Sequence, residues 1–219
     1  MKNADLFSDF TATLAEPLLR ETTYPWELLP RLKSFILEIG PLLNPDEYEL
    51  RDGDVWVAKS AKLYPNIYIG GPAIIGPSTE VRPGAFVRGS ALVGRGCVVG
   101  NSTELKNCLL FDNVQVPHYN YVGDSVLGFG SHLGAGSICS NIKSDRTNVV
   151  VRGPGGAFET GLRKLGAILG DHVDVGCNSV LCPGAVLLPH AIVYPLSRVR
   201  GVVPANHIYK DADHVVERR

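Results

Sequence analysis

The sequence predicts an all-β protein, a parallel β-helix of hexapeptide repeats with a short helical cap in front of it. Two observations carry this. Stepping by six from Val57 gives Val57, Leu63, Ile69, Ile75, Val81, Val87, Val93, Val99, Leu105 and Phe111, all apolar. Against a 45% hydrophobic background, such a run arises by chance about once in a few thousand registers. The residue four places further on is small or β-branched at Ala61, Ala73, Thr79, Ala85, Ala91, Cys97 and Thr103, and glycine follows the apolar residue at Gly70, Gly76, Gly94 and Gly100. A period of six fits neither an α-helix nor a hairpin. It fits short strands joined by tight corners, three to a triangular coil of about eighteen residues. The apolar and small residues point into the prism, and glycine turns corners where positive φ is cheap.

The elements follow in order. Residues 1–52 hold EPLLRETT and PWELLPRLKSFILEIGPLL, whose apolar spacing is helical, with Pro25 and Pro30 near starts. They predict two short helices covering the open end of the prism, which would otherwise leave backbone groups unpaired. The β-helix is expected over 53–204. Its register fails at Pro117, resumes two residues out of phase at Leu127, Leu133 and Cys139, and lapses over an excursion loop, 142–167, that contains RGPGGAFETGLRKLG. Hexads return at Leu169, Val175, Leu181, Leu187, Val193 and Val199, and residues 205–219 form a polar C-terminal tail.

Composition excludes several classes. A net charge of -1 argues against general affinity for nucleic acid or acidic membranes, and no apolar run is long enough to span a bilayer. The N-terminus, MKNADLFSDF, has no secretory apolar core. The five cysteines lack CxxC spacing, and the six histidines show no ligand pairing. Reduced thiols, a cytoplasmic location and no structural zinc are therefore expected.

The segment VPHYNYVGDSVLGFGSHLGAGSICSN, 116–141, begins at the break. Its His118 follows a proline, and on the residues alone it is either a solvent-exposed loop histidine or a general base with a pKa suited to neutral pH. Here the sequence reads His118, Tyr121, Gly123, Asp124, then Gly134-Ala135-Gly136 and Asn141. This resembles the acetyltransferase half of the bifunctional enzymes that make UDP-N-acetylglucosamine, and their archaeal sugar-phosphate relatives. The likeness runs from about Val81 to Pro204, and Glu159–Asp171 is similar to the archaeal excursion.

The resemblance implies a left-handed prism, acetyl-CoA as cosubstrate with no metal in the transfer, and a homotrimer. The reaction would be N-acetylation of an amino-sugar phosphate, glucosamine-1-phosphate or galactosamine-1-phosphate. His118 would be the base. Arg88, Lys106, Tyr121, Asn141 and Lys164 would bind the acceptor, with Arg88 preferred to Arg82 by coil register and Lys164 ranked ahead of Lys143 and Arg163 for the family's downstream lysine. Ala135 would offer its N–H to the thioester carbonyl as an oxyanion donor, and Cys177 would line the coenzyme. His132 and Ile142 stand where the family has Asn and Tyr, which leaves the acceptor sugar open. No nucleotidyltransferase domain is expected within the first fifty or so residues. Two other classes share the fold: a non-catalytic scaffold, and a metal lyase for which His118, His132 and His172 would have to converge.

Overall fold

The structure is a computed structural model and describes residues 1–218. From Val55 to Tyr209 the chain winds as a three-faced parallel β-helix. The first face stacks Val55–Ala58, Ala73–Ile75, Ala91–Val93, the second half of Glu104–Leu110 and of Tyr121–Leu127, then Ala167–Leu169, Ala185–Leu187 and Val202–Val203. The second runs from Lys62–Leu63 to His207–Tyr209, and the third from Tyr68–Ile69 to Arg198–Val199. The inward residues Val81, Val87, Leu105, Val116, Val122, Leu133, Leu181 and Leu187 are fully buried. Each contributes roughly 1.5–3 kcal/mol relative to exposure.

The register break has a different form from the one expected. Val55, Ala73 and Ala91 pair in steps of eighteen residues, but Ala91 pairs with Cys108 and Cys108 with Ser125, steps of seventeen. Two successive coils therefore lose one residue each, at the same corner, where Gly89-Ser90 gives way to Asn107 alone and then to Asp124 alone. Asn107 (φ 47°) and Asp124 (φ 49°) make these shortened turns in the left-handed region, which Asn and Asp tolerate better than most residues. The two deletions sum to the two-residue phase shift. Pro117 breaks nothing: it lies inside the strand Gln115–His118. Leu110, not Phe111, pairs with Val93. Phe111 is buried for another reason, stacked on Phe7 with ring centroids 4.6 Å apart.

The N-terminal segment does form short helices, α1 (Asn3–Leu6), α2 (Glu16–Glu21) and α3 (Leu32–Ile39). They do not cover the end of the prism; they lie along its first face. α3 packs on the strands at Ala91–Val93 and Glu104–Leu110, and Leu6 O accepts the N–H of Asp171 several coils on. The physical reason is visible in the first-face strands. Val55-Trp56-Val57, Ala73-Ile74-Ile75, Ala91-Leu92-Val93 and Ala185-Val186-Leu187 are apolar at all three positions, where a strand wet on one side would alternate. The outward members Ile74, Leu92, Leu109, Val126, Ile168 and Val186 are all 0% exposed beneath this layer. The ends are closed by strands instead: Tyr48–Arg51 pairs antiparallel with Val55–Ala58, and Val215–Glu217 with His207–Tyr209. The prism thus runs past Pro204, into what the sequence suggests is a tail.

The excursion is an ordered hairpin, Val150–Gly153 against Gly156–Glu159, and the chain rejoins the prism at Ala167–Leu169. Val149, Val151 and Leu165 are buried where it folds back.

Asp171, 4% exposed, ties the N-terminal layer to the prism. Its Oδ2 accepts both the N–H and the Oγ–H of Ser8 at 2.7 Å, and its Oδ1 accepts the Phe129 N–H at 3.0 Å. Asp171→Ala should cost about 1–2 kcal/mol, because it removes the shared acceptor of three part-buried donors. Urea unfolding checks this; an unchanged midpoint would mean that apolar burial alone holds the layer.

Candidate functional site

The spacing of His118, Tyr121 and Asp124 is one side of the triangle. His118 ends the second-face strand, Tyr121 opens the third-face strand, and Asp124 turns the next corner. Val122 points inward and is fully buried, so Tyr121 beside it points outward. The motif therefore displays a histidine at one corner, a phenol in mid-face and a carboxylate at the other.

At the first corner the coils stack His118, Ala135 and Cys177 in consecutive layers. Gln115 pairs with His132, three residues before Ala135, and Leu133 pairs with Val175, two before Cys177. Layers of a β-ladder lie about 4.8 Å apart. The Gly136 N–H donates to His118 O at 3.0 Å, and the Asn178 N–H to Ala135 O at 2.8 Å, which locks the column. The same corner position is Pro83 and Pro195 in other coils, where there is no N–H to satisfy. At Ala135 and Cys177 the N–H exists, and neither donates to a protein acceptor among the described residues. The His118 side chain is exposed. Its strand end is held by Asn120, which is 2% exposed, accepts the His118 N–H at 3.1 Å and donates to Gly134 O at 2.8 Å.

At the second corner Asn107, Asp124 and Asn141 occupy consecutive layers around one carboxylate. Asp124 Oδ1 accepts from Asn107 Nδ2 at 2.8 Å, and Oδ2 from Asn141 Nδ2 at 2.6 Å. Lys106 Nζ reaches both oxygens at 3.1–3.2 Å. Asn141 Nδ2 also donates to Tyr121 Oη at 3.1 Å, which leaves the phenol proton free for another partner. Burial first, and the Asp124 charge second, hold the Tyr121 hydroxyl above its usual pKa, so it stays a neutral donor.

Arg88 stands one layer before Lys106, as coil register requires: its N–H donates to Leu105 O. Its guanidinium pairs with Glu104 at 2.8 Å, and Lys106 pairs with Asp124. Both cations are thus already matched by carboxylates, which the sequence did not indicate. Arg82 pairs with Glu80 and lies on the second face, in the row of Pro117 beside His118. Lys164 is exposed where the excursion rejoins, bridged to Ile142, and the Leu165 N–H donates to Asn141 O. His132 bonds Asp174 at 2.8 Å on the second face, while His172 stacks on His190. These two do not join His118 within the chain.

Asn107 and Asn120 were not singled out by the sequence, and Asp124 entered only as a member of the motif, without a role. The signal of Asn107 and Asp124 lies in the shortened corners, which become visible only once the ladder register is known.

With this geometry in view, relatives are informative. A family model described as "GMPPB C-terminal domain" matches residues 69–197. The chain belongs to this family. It is similar to a bifunctional sugar-1-phosphate nucleotidylyltransferase/acetyltransferase of Sulfurisphaera tokodaii, 32% identical over 72% of this chain and 39% of that protein. It is also similar to a bifunctional protein GlmU of Methanococcus maripaludis, 31% identical over 90% of this chain and 48% of that protein. The chain spans less than half the length of these two curated relatives. Among solved structures, a hexapeptide transferase family protein from Anaplasma phagocytophilum matches with a TM-score of 0.47 at 16% identity, over 75% of this chain and 80% of that one.

The thiols divide by environment. Burial pushes Cys97 and Cys139 up to about 12, and raises Cys108 as well, whereas Cys177 is exposed at the first corner and Cys182 is half-buried. Ellman's reagent on the native protein should label Cys177 first, then Cys182, and leave the other three unreacted until urea is added. A flat rate across all five would contradict the burial. Asp124→Ala should cost about 2–3 kcal/mol in chemical denaturation. It leaves Lys106 uncompensated, with the penalty reduced because that side chain is 27% exposed. No loss would mean that the carboxylate is not the centre of the corner.

Proposed function

We propose that this chain is an acetyl-CoA-dependent N-acetyltransferase acting on an amino-sugar phosphate, with glucosamine-1-phosphate or galactosamine-1-phosphate as acceptor. One observation carries the reading: an exposed histidine heads a corner column whose next two layers, Ala135 and Cys177, each present an unpaired backbone N–H. Direct transfer to an amine requires a base, a polarising donor at the thioester oxygen and a way to hold the acceptor. That column can supply the first two.

In this reading the His118 imidazole accepts the proton of the attacking amine as its nitrogen bonds to the acetyl carbonyl carbon. Ala135 N–H faces the oxygen that gains charge. When the carbon–sulfur bond breaks, the proton passes from His118 to the leaving thiolate. Cys177, one layer on, lines the path of the coenzyme with its exposed side chain and free N–H. No acyl-enzyme and no metal take part. Tyr121 and Asn141, joined to each other and to Asp124, orient the sugar. Arg88 and Lys106 reach the phosphate by exchanging part of their carboxylate contacts, and Lys164 approaches from the excursion.

We also infer a homotrimer working in the cytoplasm. Tyr68 (59% exposed) and Phe86 (41%) are neighbours in the outward row of the third face, and Ile138 (38%) continues that row beyond Glu104 and Tyr121; a neighbouring copy would cover these apolar side chains. No helix among the described residues is long and apolar enough to cross a membrane.

The test is thiol release from acetyl-CoA with glucosamine-1-phosphate, galactosamine-1-phosphate and glucosamine-6-phosphate. Turnover with a 1-phosphate is expected. Coenzyme binding without turnover would move the acceptor elsewhere, and no binding would leave a scaffold. His118→Ala should lower kcat by roughly 10²–10⁴ with an unchanged elution volume on size exclusion; loss of folding would make His118 structural. Acetyl-CoA should also slow labelling of Cys177, and an unaltered rate would remove that residue from the coenzyme path.

A further inference from the structure

The excursion hairpin and the last coils flank an open cavity of about 910 Å³ that the acetyl-transfer reading does not use. It lies toward the C-terminal coils from the Asp124 corner, against Cys182, Pro183 and Gly184. Its lining is strongly basic. Lys143, Arg152, Arg198 and Arg200 line it with one acid, Asp145, so four cations face one anion in a chain whose net charge is -1. Asp145 is already engaged, bonded to Thr147 and within 3.4 Å of Lys143. Arg152, Arg198 and Arg200 pair with no carboxylate among the described residues, unlike Arg88 and Arg82. Three unpaired guanidinium groups from two separate segments, hairpin and coil, around one concavity favour a multiply charged anion, and planar forks suit phosphate oxygens.

Size and walls narrow the class. The volume falls in the range of small-molecule sites and far exceeds what a single phosphate fills. Val150 and Val202 add apolar side chains to the lining, which suit a ring or aliphatic body attached to the phosphates. We propose that this cavity binds a pyrophosphate-bearing nucleotide, with the phosphates on Arg152, Arg198 and Arg200 and the remainder along Val150 and Val202. Two sources share this chemistry: a free nucleoside diphosphate, and the nucleotide end of a coenzyme. The inference does not rest on acetyl transfer, and failure of turnover would leave it standing.

Isothermal titration of the full chain with UDP, ADP and CoA tests it. Binding of UDP or ADP is expected, weakening as salt rises and falling by about tenfold or more in Arg198→Gln/Arg200→Gln. Size exclusion and circular dichroism should match wild type, since both side chains are exposed. Arg152→Gln alone, on the hairpin, should weaken binding in the same direction. Displacement of the nucleoside diphosphate by CoA, lost in the double variant, would identify the coenzyme as the source. Binding of UDP or ADP without displacement would identify a free nucleotide. The proposal is overturned if none of the three binds, or if binding is undiminished in the folded double variant.

Discussion

Every coil of this protein must close in hydrogen-bond register on the coil before it, and that one constraint positions nearly everything else. The ladder allows small corrections only at corners. Two consecutive coils drop one residue at the same corner, and the single residues left there, Asn107 and Asp124, take up positive φ. Asn and Asp suit that backbone, and their side chains then bond each other across the layers. The residues that solve a winding problem are thus the ones that assemble the polar cluster. Asn141, one layer on, completes it before the chain departs on its excursion.

The same constraint distributes labour among the faces. The first face is apolar outside as well as inside, so it has to be covered, and the N-terminal layer covers it from Trp56 to Ile168 and beyond. Asp171 pins that layer. The third face remains open, and it carries Tyr121 between the His118 corner and the Asp124 corner. Electrostatics there are balanced in advance: Arg88 with Glu104 and Lys106 with Asp124. A phosphate arriving at this corner competes with carboxylates, whereas Arg152, Arg198 and Arg200 of the excursion cavity pair with no carboxylate among the described residues, and Asp145 there is held by Lys143 and Thr147. Charge pairing therefore separates two basic regions that composition alone would merge.

The repeat was legible because a buried apolar residue every six positions is a one-dimensional signal. The motif beginning at His118 was legible through its resemblance to the acetyltransferase family, and only the structure shows that its spacing spans one side of the coil. Arg88 beside Lys106 followed from counting a full coil, and the structure keeps them adjacent. The break at Pro117 misled, since a phase shift shows that residues are missing but not where. Phe111 fell in step by coincidence, buried under Phe7 rather than inside the prism. The three-residue apolar runs at Ala73–Ile75 and Ala91–Val93 carry the mark of a face buried on both sides, and the reading of residues 1–52 as a cover for the open end did not use it.

The sequence by itself determined the period, the interior, the extent of the prism to within a strand, and the histidine, tyrosine and asparagine that face outward from it. These depend on local alternation and on steps of one coil. Only the tertiary structure decided which carboxylate neutralises which cation, that the backbone N–H groups of Ala135 and Cys177 have no protein acceptor among the described residues, and that the excursion folds back to bring Arg152 to one cavity with Arg198 and Arg200 of a late coil. Those features depend on contacts between residues tens of positions apart, whose distances follow from how many residues each corner uses. A single deletion at a corner changes that number while leaving the period almost untouched.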